Sequence, residues 1–184
     1  MKKLFIFLFF SLNIILFAQT KTVTFSEIRW KGYKTLKAES LSHDGTIKLK
    51  SGNLLFKENE ITGGNFVMDM TSMDAEDLNN NKKLKKMFEN HLKSDDFFDS
   101  VKFPESTFQI KSLKKLKNND YNYQINGILT IKGISKNLSF PAKISVKNGV
   151  VTLESDKFTI DRQKWDIAYK STMQDVVVKD DIDL

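Results

Sequence analysis

From Thr22 onward the apolar residues fall into short alternating runs divided by turn residues, the period-two signature of half-buried strands. Val23 and Phe25 share one phase and Ile28 and Trp30 the opposite one, so the slip between them predicts a bulge or bend. Alternation through Ile47 and Leu49 runs to Ser51-Gly52-Asn53, which reads as a hairpin turn into Leu54, Leu55 and Phe56. Glu58-Asn59-Glu60 turns the chain again, and Gly63-Gly64 leads into Phe66, Met68 and Met70 on one strand face. After Pro104 the rhythm returns with Phe108 and Ile110, then Tyr121, Tyr123, Ile125, Leu129 and Ile131. Lys132-Gly133 predicts a turn. Leu138, Phe140, Ala142, Ile144 and Val146 share the next phase, with Pro141 opposite, a position that suits an edge or a bulge. Asn148-Gly149 is the strongest hairpin signal in the chain. Val151 and Leu153, Phe158 and Ile160, then Trp165, Ile167 and Tyr169 predict further strands, and 176–184 a short last one.

One segment breaks the alternation. Across 74–93, Leu78, Leu84, Met87, Phe88 and Leu92 recur at wider spacings among Lys, Asn and Glu, which predicts one or two helices. Ser94-Asp95-Asp96 supplies side-chain acceptors for another helical turn carrying Phe97 and Phe98. The whole is an all-β chain of roughly eight to ten antiparallel strands with a short helical insertion, which points to a barrel or a sandwich. Parallel α/β folds are excluded, because the connecting turns are too short for crossover helices. A closed barrel of about eight strands can enclose one small ligand.

The N-terminus carries a separate signal. Lys2 and Lys3 precede an apolar stretch that is too short to span a bilayer comfortably, and small Ala18 follows it. Residues 1–18 are therefore expected to be a cleaved signal peptide, and residues 19–184 a single exported, soluble domain without a stable membrane anchor. With the leader removed, the net charge falls from +6 to +4. The lysines are scattered among acids except in 82–86 and 111–117, so no stripe suited to nucleic acid is expected. The chain has no cysteine, so it must be held by its core rather than by disulfides.

Candidate chemistry is sparse. The two histidines, His43 and His91, lie in no metal-binding spacing, and no Gly-x-Ser-x-Gly elbow exposes a nucleophile. The run Asp95-Asp96-Phe-Phe-Asp99 lacks the glycine and the final glutamate of a calcium loop, so helix capping is the better reading. No enzymatic activity, metal or cofactor is expected. Phe66, Met68 and Met70 on one face put adaptable side chains where a pocket would benefit, although an ordinary core would use them equally well.

Several strings then read together: Trp30-Lys-Gly32, His43-Asp-Gly45, Gly63-Gly-Asn-Phe66, Asp69-Met70-Thr-Ser72, His91-Leu-Lys-Ser-Asp-Asp-Phe-Phe98, Phe103-Pro104 followed by Phe108, Gly127-Ile-Leu-Thr-Ile-Lys-Gly133 and Asp161-Arg162. In this order the chain resembles the YceI-like family of periplasmic proteins from about Trp30 to Leu184. The resemblance implies a lipocalin-like antiparallel β-barrel that binds a polyisoprenoid or similar long-chain lipid in its cavity, as a periplasmic carrier or storage protein. The alternative is a stress-associated interaction protein with a filled barrel. Extracellular release and pairing into a homodimer are left open. The expected ligand-binding residues are Ile47, Leu49, Phe66, Met68, Met70, Phe108, Ile110, Leu129, Ile131, Phe140, Trp165 and Tyr169, drawn from alternating positions, although phase alone does not say which face is inside. Arg162 is the candidate for a charged head group, since a guanidinium grips phosphate in a bidentate way; a strand-end salt bridge is the competing role.

Overall fold

The computed structural model describes residues 19–36, 39–58, 60–117, 120–169 and 176–184. The predicted signal peptide, 1–18, lies outside the described residues, as does Asn59 of the predicted turn. Among the described residues the alternating runs form ten strands of one sheet. They are β1 (Gln19–Thr22), β2 (Ile28–Leu36), β3 (Glu39–Lys57), β4 (Glu60–Asp74), β5 (Glu105–Lys115), β6 (Tyr123–Ile131), β7 (Ile134–Lys147), β8 (Val150–Ser155), β9 (Thr159–Asp161) and β10 (Val176–Asp183). The order is β8-β7-β6-β5-β4-β3-β2-β10-β9, with β1 laid against β3 off that path. Every pairing is antiparallel, and from β2 to β8 each strand lies beside its chain neighbour. The sheet curls into a half-barrel.

The turn chemistry explains the tight links. Lys132 and Gly133 take φ of 49° and 73°, and Asn148 and Gly149 take 50° and 78°. These left-handed pairs match the twist of the flanking strands. Both predicted hairpins form.

Pro141 sets the seam. The β7–β8 ladder ends at Ala142 and Ser155, beyond which the Asp156 N–H donates to the Pro141 carbonyl at 2.8 Å. Proline has no N–H to return the bond, so the ladder stops there. The chain leaves β7, and Phe158 exchanges backbone bonds of 3.0 and 2.8 Å with Leu184 before β9 pairs with β10. The short link from β8 to β9 thus joins the two ends of the strand order.

Three local expectations are corrected. Ser51-Gly52-Asn53 is no hairpin; β3 runs through it for 19 residues with a register shift between Leu49 and Ser51. Gly52 is there for room, since a Cβ would stand about 3 Å from Leu49, Phe66 and Val23 side-chain atoms. Residues from Arg162 to Trp165 form a 3-10 turn in place of the predicted strand, with the Asp161 carboxylate accepting from the Gln163 N–H at 3.0 Å. Ser94-Asp95-Asp96 closes into a turn in which the Phe97 and Asp99 N–H groups both reach the Ser94 carbonyl, while Ser94 Oγ donates to His91. The other helical prediction holds as a 3-10 turn, Glu76–Leu78, and helix α1, Lys82–Lys93, capped by Asn81.

The buried core forms two groups. One holds Trp30, Met68, Met70, Met73, Leu129, Ile131, Ile160, Trp165 and Ile167, and is covered by Leu92 of α1 and by Phe97. The other holds Leu54, Phe56, Ile110, Ile125, Phe140 and Ala142.

Candidate functional site

Phe66, Phe108, Leu138 and Phe158 pack against both core groups and so join them into one apolar interior. Register explains part of this row: Phe66 lies directly opposite Phe108 across β4 and β5, with ring centroids 6.4 Å apart. Phe108 then reaches Phe140, two strands away, at 5.5 Å, and Phe140 stacks on Phe158 at 4.5 Å with 9° between the planes. Offset and tilted rings at these separations are ordinary favourable aromatic contacts. Glycine gaps make the space: a Cβ on Gly127 would meet the Phe108 ring at 2.6 Å, and one on Gly64 would meet the Phe66 ring at 3.1 Å.

The twelve apolar residues expected at the site are brought to this interior. Met68, Met70, Leu129, Ile131 and Trp165 are buried in the first group, with Ile47, Leu49 and Tyr169 packed partly against it. Ile110 and Phe140 lie in the second, and Phe66 and Phe108 touch both. The indole N–H of Trp165 donates to the Leu129 carbonyl at 3.3 Å, which fixes the 3-10 turn over β6. Sequence reasoning left out Leu138 and Phe158. Leu138 shares Phe140's phase, so its exclusion had no basis in the pattern.

Arg162 is not available as a head-group ligand. It is 1% exposed, and its guanidinium donates to the carbonyls of Ile167 (2.6 Å), Tyr169 (2.8 Å), Val178 (3.0 Å) and Lys179 (3.1 Å). Asp180 lies 3.1 Å away, and the Phe97 ring 5.4 Å from the guanidinium carbon. Burial pulls its pKa down while Asp180 and Asp161 push it back up, and a guanidinium stays charged throughout. It ties the segment after the 3-10 turn to β10. The salt-bridge role is the nearer of the two expectations, although the pair is far from the surface on the arginine side.

The histidines hold the helical insertion. His43 Nδ1 lies 2.8 Å from the Asp77 carboxylate, and its ring lies 4.3 Å from that of Phe88 on α1. His91 packs on Tyr169 at 4.4 Å and on Phe97 at 5.7 Å. The His43 ring packs β3 against α1, and the His91 ring packs α1 against the turns that hold Phe97 and Tyr169.

Among the described residues, clefts open at the surface. One of about 470 Å³ is lined by Asp161, Gln163, Lys179, Asp180 and Asp181, a polar wall unsuited to an apolar chain. Another, about 330 Å³, is lined by Ser26, Glu27, Ile28, Thr46, Ile47, Lys48 and Leu49. Ile28, Ile47 and Leu49 also pack against the first core group, so here the apolar interior reaches the surface.

Comparison with known proteins agrees with this architecture. The YceI-like domain family matches residues 18–184. A UPF0312 protein of Vibrio parahaemolyticus is 31% identical over 101 residues, 54% of this chain and 48% of that protein. Protein YceI of Escherichia coli O157:H7 is 30% identical over 102 residues, again 54% and 48%. The chain thus aligns with about half the length of these relatives. The crystal structure of Burkholderia cenocepacia BcnA matches with a TM-score of 0.62 at 20% identity, over 84% of this chain and 91% of that one. A polyisoprenoid binding domain from Saccharophagus degradans, implicated in plant cell wall breakdown, matches with 0.56 at 8% identity, over 91% and 95%. At such identities these structures share the fold.

Proposed function

The chain belongs to the YceI-like family, and on that premise we propose that it binds a long-chain apolar lipid, a polyisoprenoid or a related molecule, between the walls of its half-barrel. The observation that carries this reading is the continuous apolar interior linked by Phe66, Phe108, Phe140 and Phe158. Such a ligand is held by area removed from water, at about 25 cal/mol per Å². It needs length and shape more than donors. The polyisoprenoid binding of the Saccharophagus domain supports the same class of ligand. The family and this neighbour together favour a binding protein over an enzyme.

The rings now occupy the path that the chain of a lipid would take. Entry therefore requires Phe108 and Phe66 to turn aside, with the cleft where Ser26, Glu27 and Ile28 meet Ile47 and Leu49 of β3 as the mouth. We further propose export by the 1–18 leader and a periplasmic carrier or storage role. The second reading, a filled barrel that acts through its surface, is favoured by the same ring contacts, since an interior at native density leaves no room for a guest.

Native mass spectrometry of protein purified from its own source, followed by organic extraction, separates the two. A mass excess that extraction releases as a long-chain lipid supports the carrier. A bare mass under gentle conditions sinks it.

A further inference from the structure

The outer face of α1 has no role in the reading above. Leu84 and Met87, 44% and 60% exposed, lie on neighbouring positions of the helix surface. The other exposed residues from Asn81 to Asn90 are Asn81, Lys82, Lys83, Lys86 and Asn90, so this face carries three cations and no acid. The one acid of the helix is turned away: Glu89 accepts from the Ala75 N–H at 3.1 Å and lies 3.8 Å from Lys85, which also pairs with Asp74. The inner face is fully employed, with Leu92 buried and Phe88 packed on the core. Beyond the helix, Ser100 bonds to the Lys93 carbonyl at 2.9 Å and holds the exposed pair Val101 and Lys102 beside its C-terminal end. Asp95 and Asp96 are exposed there too, which confines the purely basic surface to the first turns of the helix.

We propose that α1 docks this protein reversibly on an anionic lipid bilayer. Apolar tips set among lysines suit that surface, since Leu84 and Met87 can enter the headgroup boundary while the ammonium groups meet phosphate. A second copy of the same face would set lysine against lysine. A nucleic-acid backbone would engage the lysines and leave the two apolar tips in water. Two side chains on a short helix give weak insertion, so the attachment is reversible. Docking does not depend on what fills the barrel.

The test is co-sedimentation of the purified protein with phosphatidylcholine vesicles, with and without phosphatidylglycerol, all free of isoprenoid. The wild type is expected to sediment only with the anionic vesicles. Lys82→Glu, Lys83→Glu and Lys86→Glu combined should abolish binding, each lysine lost lowering the partition by about fivefold. Leu84→Gln with Met87→Gln should weaken it while circular dichroism stays unchanged. Lys111→Glu, Lys114→Glu and Lys117→Glu, exposed on and just beyond β5, change the net charge equally and should leave binding intact. Absence of wild-type sedimentation overturns the proposal, as does an equal loss in both triple variants. An unchanged Leu84/Met87 variant, or equal retention of the wild type by duplex DNA, reduces the face to simple charge attraction and overturns it as well.

Discussion

The ring of Phe108 lies across Gly127 on the adjoining strand, 2.6 Å from where a Cβ would stand. The Gln109 carbonyl is equally close, at 2.5 Å, and a backbone oxygen cannot turn aside as a ring can. Gly127→Ala is therefore expected to cost about 1–3 kcal/mol through overpacking. Urea denaturation should show a lower midpoint at an unchanged slope. A midpoint equal to wild type would show that the strands relax freely around the methyl group.

Phe108→Ala removes one of the rings that join both core groups, and a loss of about 3–5 kcal/mol is expected. The carrier reading adds a second expectation. A long prenyl alcohol should raise the melting temperature of this variant more than that of wild type, because the guest no longer displaces a ring. Identical shifts would place the lipid elsewhere.

Arg162→Met removes the donor shared by the carbonyls of Ile167, Tyr169, Val178 and Lys179 and the cation beside Asp180. Each buried carbonyl that loses its donor costs about 1–3 kcal/mol. Amide exchange in β10 should accelerate first. Affinity for a prenyl diphosphate, measured per mole of folded protein, should not change. A selective loss of that affinity would restore the head-group role.

Asp183 supplies a pH-dependent contact. Burial pushes its carboxyl up, but hydrogen bonds from Lys157, Tyr33 and Thr159 outweigh burial and bring it down to about 2 from 3.8. The Tyr33 hydroxyl donates at 2.6 Å, Thr159 at 2.7 Å, and Lys157 lies at 2.6 Å. A carboxyl lowered on folding stabilises the native state above its unfolded pKa, and that contribution fades as pH falls from about 4 toward 2. Asp183→Asn should flatten the stability profile in that window. The test is chemical denaturation at stepped pH.

Most of the sheet was legible because alternation and turn residues are local. Lys132-Gly133 and Asn148-Gly149 could be placed from the backbone demands of two positions each. Gly52 misled because a Ser-Gly-Asn triplet suits a turn, while its actual reason is the Leu49, Phe66 and Val23 side chains crowded over it. The strand expected at Trp165, Ile167 and Tyr169 is absent because Arg162, anchored on the Val178 and Lys179 carbonyls of β10, also draws the carbonyls of Ile167 and Tyr169 toward itself. Strand phase carries ten of the apolar candidates to the interior, while Trp165 and Tyr169 reach it from the 3-10 turn and the segment after it. The burial of Arg162 was not legible, since nothing beside it in sequence shows that two carbonyls of β10 join those of Ile167 and Tyr169 on its guanidinium.

The corner between Pro141 and Phe158 gives the half-barrel a mechanical character that a fully laddered wall would lack. β9 is held to β10 by three residue pairs, and the bend beside it by the two bonds of Phe158 with Leu184. Opening there leaves the ladders from β2 to β7 whole but lifts Phe158 off Phe140 and draws buried Ile160 away from the core, so the seam parts only as fast as that packing loosens.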